Sequence, residues 1–261
     1  MNRLWAASRD SVTTLFVILG ALLLWEIGVR IFHPPPIILP PPSLVLQEFL
    51  NAPGYFLRQA RFTLFTTVTG FVLAVILGLA LAIGIVYSRF LERTIYTLLV
   101  ALNSVPKVAL APLFVIWMGT GIEPKIAIAL MLALFSVVID TVLGLRSVDP
   151  DMINLAKISR ASPFAILWKI RLPNALPFIF AGLKVGISFA LVGAIVGEFV
   201  GGSDGLGFAI VTAQGQFDTP RVFVCLFILG IVGTLLFYAV EGIERLSLPW
   251  HVSQRGGAHT R

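Results

Sequence analysis

A run of uncharged residues, 62–87, is the feature that most limits what this chain can fold into. About 20 predominantly apolar residues in a helix span a bilayer, and this run is longer than that. Five other apolar segments approach or exceed the same length. The six predicted spans are residues 11–32, 62–87, 94–118, 126–145, 176–200 and 221–243.

The composition favours an all-α membrane protein. The 261 residues are 57% hydrophobic and 12% charged, whereas a soluble protein of this length carries about twice that charged fraction. A membrane β-barrel would instead show short segments of alternating polarity. The net charge of +6 does not indicate nucleic-acid binding, because the cations lie at the ends of the apolar segments and not on one face.

The distribution of Lys and Arg predicts the orientation in the membrane. With the N-terminus inside, most of the cations outside the spans fall on the cytoplasmic side, as the positive-inside rule requires. Six spans return the C-terminus to that side. We therefore expect a multi-pass membrane protein with both termini and the loop between spans four and five in the cytoplasm.

The third predicted span is irregular. Pro106 and Pro112 interrupt its hydrogen-bond ladder, and Lys107 lies between them. Freed backbone groups and a lysine at membrane depth are tolerated against protein or a water-filled cavity. Lys107 is therefore either held by a structural partner or part of a translocation path, for which Asn103 and Trp117 are neighbouring candidates.

The fourth and fifth predicted spans contain three charged residues, Asp140, Lys184 and Glu198. Asp140 is expected to pair with a basic residue near the cytoplasmic edge, and Lys184 to extend towards that edge. Glu198 lies about 21 Å beyond Lys184 along a helix, so these two cannot pair with each other. Lys184 and Glu198 complete the list of path candidates.

Small residues recur every fourth position in two spans, a pattern that lets helices approach closely. One ladder begins at Gly70 in the second span. Two more in the fifth span begin at Gly182 and Gly193. They predict two neighbours for that span, and a second copy of the chain is one alternative for one of them.

The region between the first two spans is predicted to be mostly extended. Two proline runs lie between residues 34 and 42 and exclude a helix there. Ser43 is then expected to cap a short amphipathic helix that ends near Leu50. Near the end of the first span, Glu26 and Arg30 are four residues apart and can form an ion pair.

Two helix starts of the same kind occur between the fourth and fifth spans. Asp149 and Ser162 each precede a proline, so each side-chain oxygen can cap a helix whose first residue is proline. Pro173 and Pro177 are expected to end the second of these helices. The stretch therefore predicts two short helices with an elbow near residue 161.

This stretch resembles the EAA loop of the inner-membrane permease subunits of bacterial ATP-binding-cassette importers. That motif reads roughly E-A-A, three residues, G, nine residues, I-x-L-P. Residues 154–156 (NLA) occupy its first positions, and residues 170–173 (IRLP) match its end at the same spacing. Arg160 replaces the glycine that eases the elbow. The downstream run GLKVGISFALVGAIVGEFVGGSDGLGFAI resembles the subfamily that imports sulfonates, taurine, nitrate, bicarbonate and hydroxymethylpyrimidine.

The resemblance implies a type I importer permease fold with six transmembrane helices and a cytoplasmic paired-helix coupling loop. It also implies a homodimer, two ATP-binding subunits that hold ATP and Mg, and a periplasmic solute-binding protein. The chain itself is then not an enzyme and binds no cofactor. The residues expected to couple to the ATPase are Met152, Asn154, Leu155, Ala156, Lys157, Ser159, Arg160 and Phe164.

Three regions follow from this interpretation. Residues 1–55 form the first span, the proline-rich segment and the short amphipathic helix. Residues 56–246 form the importer domain with the coupling loop at 149–173, and residues 247–261 form a tail. The solute is expected to be small and either anionic or heterocyclic. The alternatives are a stand-alone secondary transporter or channel, which usually shows internal repeats, and a membrane-embedded enzyme, which needs polar residues clustered at one depth.

Overall fold

Helices form the regular secondary structure of the computed structural model, which describes residues 2–248 apart from residues 97, 99–100 and 102–104. The helices are α1 (Asn2–Phe32), α2 (Pro42–Asn51), α3 (Pro53–Tyr87), α4 (Arg89–Leu91), α5 (Ala111–Met118), α6 (Glu123–Arg146), α7 (Pro150–Ile158), α8 (Pro163–Ile166), α9 (Leu172–Gly201), α10 (Leu206–Gly215) and α11 (Thr219–Ser247). A π turn, Glu92–Tyr96, follows α4, and a second, Leu167–Arg171, joins α8 to α9.

Within the part of the chain that the structure describes, four helices are long and apolar enough to cross a membrane. They are α3, α6, α11 and the continuous helix Pro163–Gly201, which comprises α8, the π turn and α9. These helices confirm the second, fourth, fifth and sixth predicted spans. The first predicted span lies within α1, and the third is represented by shorter pieces.

The two prolines break the third span as predicted. Pro106 is extended, with ψ 93°, and a 3-10 turn, Lys107–Leu110, follows it. Pro112 lies in the first turn of α5, where a backbone N–H has no intrahelical partner, so the N–H that proline lacks is not needed. The segment therefore starts a new helix at its midpoint and is not a single kinked rod.

The prolines predicted to end the second loop helix do not end it. The helix continues from α8 through the π turn into α9, so that residues Pro163–Gly201 form one unbroken rod. The π turn resets the hydrogen-bond register ahead of Pro173, which then occupies the first turn of α9 and requires no N–H. Pro177 is accommodated inside α9.

The described residues divide into two compact units, residues 2–58 with 209–228, and residues 59–208 with 229–248. In the second unit α6 is the central helix, and α3 packs on it through the first small-residue ladder. A Cβ at Gly70 would lie 2.6 Å from Ala129 Cβ, and one at Gly78 would lie 2.7 Å from Val137 Cγ1. The predicted close approach of this ladder to another helix is confirmed.

The glycines of the fifth span pack on the same helix α6. A Cβ at Gly182 would lie 2.7 Å from Asp140 Cβ, and one at Gly193 would lie 2.6 Å from Ala129 Cα. The two ladders form one stripe, because positions 190 and 193 are three apart and continue the same helical face. At these positions the stripe therefore faces α6 and not a second copy of the chain.

The first unit confirms one predicted pair and corrects one predicted cap. Arg30 Nε donates to Glu26 Oε1 at 2.8 Å. Ser43 does not cap α2, because Pro42 is the first helical residue and Pro41 the N-cap residue. Proline suits that first position, so Ser43 falls inside the first turn and its hydroxyl donates to Glu26 Oε1 at 2.9 Å.

Candidate functional site: a capped loop and a cavity between helices

The loop between α6 and α9 has both predicted helix caps. Asp149 Oδ1 accepts a hydrogen bond from the N–H of Asp151 at 2.8 Å. Ser162 Oγ accepts one from the N–H of Ala165 at 3.2 Å. Each bond satisfies a backbone donor that the first turn of a helix leaves without an intrahelical partner. The caps therefore define where α7 and α8 begin.

Arg160 forms the turn between the two helices. Its φ is +57°, in the left-handed region that glycine adopts most easily. The N–H of Ala161 bonds to Ala156 O, and that of Arg160 to Lys157 O, both at 2.9 Å. This pair of bonds is the Schellman motif, in which the left-handed residue closes the helix. An L-residue pays about 1 kcal/mol for this conformation.

Replacing Arg160 with glycine is therefore expected to stabilise this turn by about 0.5–1 kcal/mol, net of the greater flexibility of glycine in the unfolded chain. The measurement is hydrogen exchange of the loop amides, which should slow roughly two- to fivefold. Arg160→Ala is the control, because it removes the same charge but keeps a Cβ. Equal slowing in both variants would show that the charge, not the backbone conformation, destabilises the turn.

Large apolar side chains project from this polar loop. Leu155 is 66% exposed and Ile158 is 81% exposed. The rings of Phe164 and Trp168 are also exposed and lie 5.8 Å apart between centroids. We call the following five residues the loop patch: Met152, Leu155, Ile158, Phe164 and Trp168.

Ala156, which was also expected to couple to the ATPase, is not part of this exposed surface. It is only 9% exposed, so its side chain packs against the rest of the protein. Ile158 was not among the expected coupling residues, although the structure exposes it. The other predicted coupling residues are exposed on α7 or in the turn after it: Asn154, Lys157, Ser159 and Arg160.

Side chains at the ends of the spanning helices hold the loop in place. Tyr87 Oη, at the end of α3, donates to Pro163 O at 3.1 Å. The Arg171 guanidinium donates to Leu145 O at 3.2 Å and lies 5.7 Å from the centre of the Tyr87 ring. The start of α8 is therefore tied to α3, and the π turn is tied to α6.

A cavity of about 500 Å³ lies between the 3-10 turn, α6 and α9. Its polar and charged lining residues are Lys107, Ser136 and Asp140. Two aromatic residues, Phe135 and Phe189, also line it, and the remaining lining side chains are aliphatic. Lys107 Nζ lies 4.4 Å from the centre of the Phe135 ring, within the range of a cation–π contact.

Asp140 lies in this cavity and does not pair with a basic side chain among the residues that the structure describes. Ser136 Oγ approaches its Oδ2 at 3.5 Å and Gly182 O at 3.3 Å. Arg146, the nearest cation along the helix, instead bonds to Glu92 at 2.8 Å. The expected ion pair of Asp140 is therefore absent, because the side chain points into the cavity and not towards the end of α6.

The other predicted path residues lie elsewhere. Trp117 is exposed on α5 and stands 5.9 Å from the Phe114 ring. Lys184 Nζ is held by Glu244 Oε2 at 2.7 Å, in a pair with little exposed surface. Asn103 lies outside the described residues. Lys107 is thus the one predicted path residue that the described structure places in the cavity.

Glu198 belongs to a buried cluster that caps α10. It is 1% exposed and accepts hydrogen bonds from Thr63 Oγ1 at 3.0 Å and from a backbone N–H at 2.8 Å. Thr63 and Gln59 accept from two further N–H groups at 2.8 and 2.6 Å. All three N–H groups belong to residues 205–207, so the glycine-rich turn directs its donors at protein side chains and not at a phosphate.

The residues of α6 and α9 that line the cavity were not predicted from the sequence. Ser136 and Asp140 are four residues apart, so they share a helix face. That spacing was the available signal that Asp140 faces a polar environment. No local pattern marks Phe135 or Phe189, since phenylalanine in a membrane helix faces lipid, protein or a cavity equally well.

Comparisons with known proteins all identify one family. The model for "binding-protein-dependent transport system inner membrane component" matches residues 55–247. The riboflavin transport system permease protein of Chloroflexus aurantiacus is 37% identical over 252 residues, covering 95% of this chain and 92% of the relative. The formylaminopyrimidine transport permease protein of Halalkalibacterium halodurans is 32% identical over 241 residues, covering 92% of this chain and 96% of the relative.

One solved structure shows the same fold. A chain of the MetNI methionine ABC transporter in an inward-facing conformation superposes with a TM-score of 0.67 at 20% sequence identity. The match covers 75% of this chain and 97% of that chain.

Proposed function

The chain belongs to the binding-protein-dependent transport system inner membrane components, and we propose that it is the permease subunit whose coupling loop docks on an ATPase. The family match confirms the resemblance predicted from the loop motif, and the similarity to the methionine transporter chain confirms the type I importer permease fold. The stand-alone transporter or channel is not favoured, because the match extends over most of the chain.

The observation that carries the docking proposal is the loop patch. Exposed apolar side chains on a polar loop are typical of a surface that a partner covers. Lys157 and Arg160 stand at its edge and suit a partner with acidic groups there. The partner is an ATP-binding subunit that holds ATP and Mg, since this chain carries no nucleotide motif.

The unbroken helix Pro163–Gly201 explains how a movement of the partner reaches the membrane. Phe164 and Trp168 of the loop patch belong to the same rod as Phe189, which lines the cavity. A push on the loop patch is therefore transmitted to a wall of the cavity through continuous helix, across the π turn and Pro177. Rigid motion of this kind is how alternating access is achieved in many transporters.

We extend the proposal to the remaining partners, which the dependence of this family on a binding protein supports. A solute-binding protein delivers the solute to the outer face, and two permease chains form the channel, each docked on one ATP-binding subunit. The N-terminus, the C-terminus and the coupling loop lie in the cytoplasm. We infer a heterocyclic solute, because the riboflavin and formylaminopyrimidine permeases are 37% and 32% identical to this chain, whereas bicarbonate and taurine permeases that cover as much of it are 28% and 26% identical.

Reconstitution tests this function. The chain is expressed with the ATP-binding subunit and the solute-binding protein encoded beside it and placed in proteoliposomes. We expect the loaded binding protein to stimulate ATP hydrolysis and uptake of its bound solute to require ATP. Uptake at the same rate without ATP would instead show a secondary transporter or channel.

A further inference from the structure

We propose that the cavity lined by Lys107, Asp140 and Phe189 is a solute-binding site within the permease, and that it accepts a neutral or zwitterionic planar heterocycle and excludes anions. This inference rests on the proposed function, since it names the class of solute that the importer moves and the residues that select it.

The size and position of the cavity suit a transported solute. Its volume of about 500 Å³ falls within the roughly 300–1,000 Å³ of small-molecule sites. Ser136 lies about 20 Å along α6 from the first residue of that helix. The site is therefore near the middle of a spanning helix, at a depth that every solute passing through the membrane must cross.

The charges of the lining residues argue against an anionic solute. Among the lining residues that the structure describes, Lys107 provides one positive charge and Asp140 one negative charge. An anion attracted by Lys107 is also repelled by Asp140, and both interactions are strong away from bulk water. A solute with acceptors and donors but no net charge can use both side chains at once.

The polar groups are held in position before any solute arrives. Asp140 packs against Gly182, where even a Cβ would lie 2.7 Å away, and the Ser136 hydroxyl, with one hydrogen to donate, lies 3.5 Å from Asp140 Oδ2 and 3.3 Å from the Gly182 carbonyl oxygen. Lys107 is fixed over the Phe135 ring. Fixed donors and acceptors reduce the entropic cost of binding and reject solutes that leave them unpaired.

The rest of the lining favours a flat, conjugated molecule. Phe135 and Phe189 offer ring faces or edges for stacking, and the other side chains are aliphatic. A small hydrated anion such as ethanesulfonate cannot recover its lost hydration from aliphatic side chains. A pyrimidine or isoalloxazine ring buries apolar area and keeps its polar edge for Lys107 and Asp140.

Binding to the isolated complex tests the proposal. The permease with its ATP-binding subunits is placed in nanodiscs without ATP or binding protein, and equilibrium binding is measured for riboflavin, formylaminopyrimidine and ethanesulfonate. We expect at least one heterocycle to bind and ethanesulfonate not to displace it. Tighter binding of ethanesulfonate, or no binding of either heterocycle, would overturn the proposal.

Two variants link the preference to these residues. Asp140→Asn removes the negative charge that repels an anion in the cavity, so ethanesulfonate should bind roughly tenfold more tightly than to the unmodified chain. Phe189→Ala should weaken heterocycle binding roughly fivefold. Phe199→Ala is its matched control, because it lies on the same helix, is 44% exposed against 46% for Phe189, and does not line the cavity.

The outcomes separate this site from the wider function. Suppose that uptake is driven by ATP but Asp140→Asn still prefers the heterocycle over ethanesulfonate, or that Phe189→Ala binds the heterocycle as tightly as Phe199→Ala does. The assignment of the site is then wrong, while the importer function stands. If the shifts in binding appear but uptake does not require ATP, the site stands and the importer function is wrong. Should Asp140→Asn fail to fold, the comparison of the two phenylalanine variants decides alone.

Discussion

Leu155→Asp is expected to abolish ATP-driven uptake while the chain still inserts and folds. Leu155 is exposed in the chain on its own, so aspartate there meets water and leaves the fold intact. In the docked complex the same carboxylate would be buried without a partner, at a cost of several kcal/mol. Since about 1.4 kcal/mol corresponds to a tenfold change in affinity, docking should weaken more than about 100-fold.

Co-purification of the ATP-binding subunit and uptake in proteoliposomes are the measurements. Leu246→Asp is the matched control, because Leu246 is an exposed leucine in the last turn of α11, outside the loop patch. The control should retain its ATPase and its uptake. Normal ATPase recovery with Leu155→Asp would show that the loop patch is not the docking surface. Ala156→Asp does not serve this purpose, because the burial of Ala156 means that the variant would disturb α7 itself.

Most features that depend on neighbouring residues were predictable from the sequence, although the cap at Ser43 was not, because Pro42 already takes the first helical position. The caps at Asp149 and Ser162 each require a side-chain oxygen, a following proline and a free backbone N–H, all within four residues. The same holds for the break at Pro106, because a missing N–H acts on its own helical turn. The second, fourth, fifth and sixth spans were predictable because each of these apolar runs reaches the thickness of a bilayer independently of the others.

Features that depend on distant neighbours were not predictable in this way. Whether Asp140 meets a cation or a cavity depends on how α6 packs against the turn at Lys107 and against α9. The continuity of α8 and α9 depends on a π turn, and no residue between 167 and 171 indicates such a turn from the sequence. The inward position of Ala156 depends on what lies beneath α7, because the helical period alone cannot say which face is covered.

Gly193→Val is expected to prevent stable packing of the two helices that form the cavity. A Cβ at position 193 would lie 2.6 Å from Ala129 Cα and 2.8 Å from Ile128 O. Both are main-chain atoms of α6, so no side-chain rotation can make room and the helices must separate. Because α6 carries Asp140 and α9 carries Phe189, their separation also disrupts the cavity.

The free energy of unfolding is expected to fall by about 3 kcal/mol or more. This is the upper end of the cost of overpacking where flexible side chains can move aside. In a chain of this size that corresponds to a melting temperature lower by roughly 6 °C or more, measured on the purified permease in detergent. Gly230→Val is the control, because a Cβ at Gly230 in α11 meets nothing within 4 Å, while the change in helix propensity is the same. If the two variants have the same melting temperature, α9 packs on α6 less tightly than these distances indicate. Gly193 then does not determine how the two helices together form the cavity.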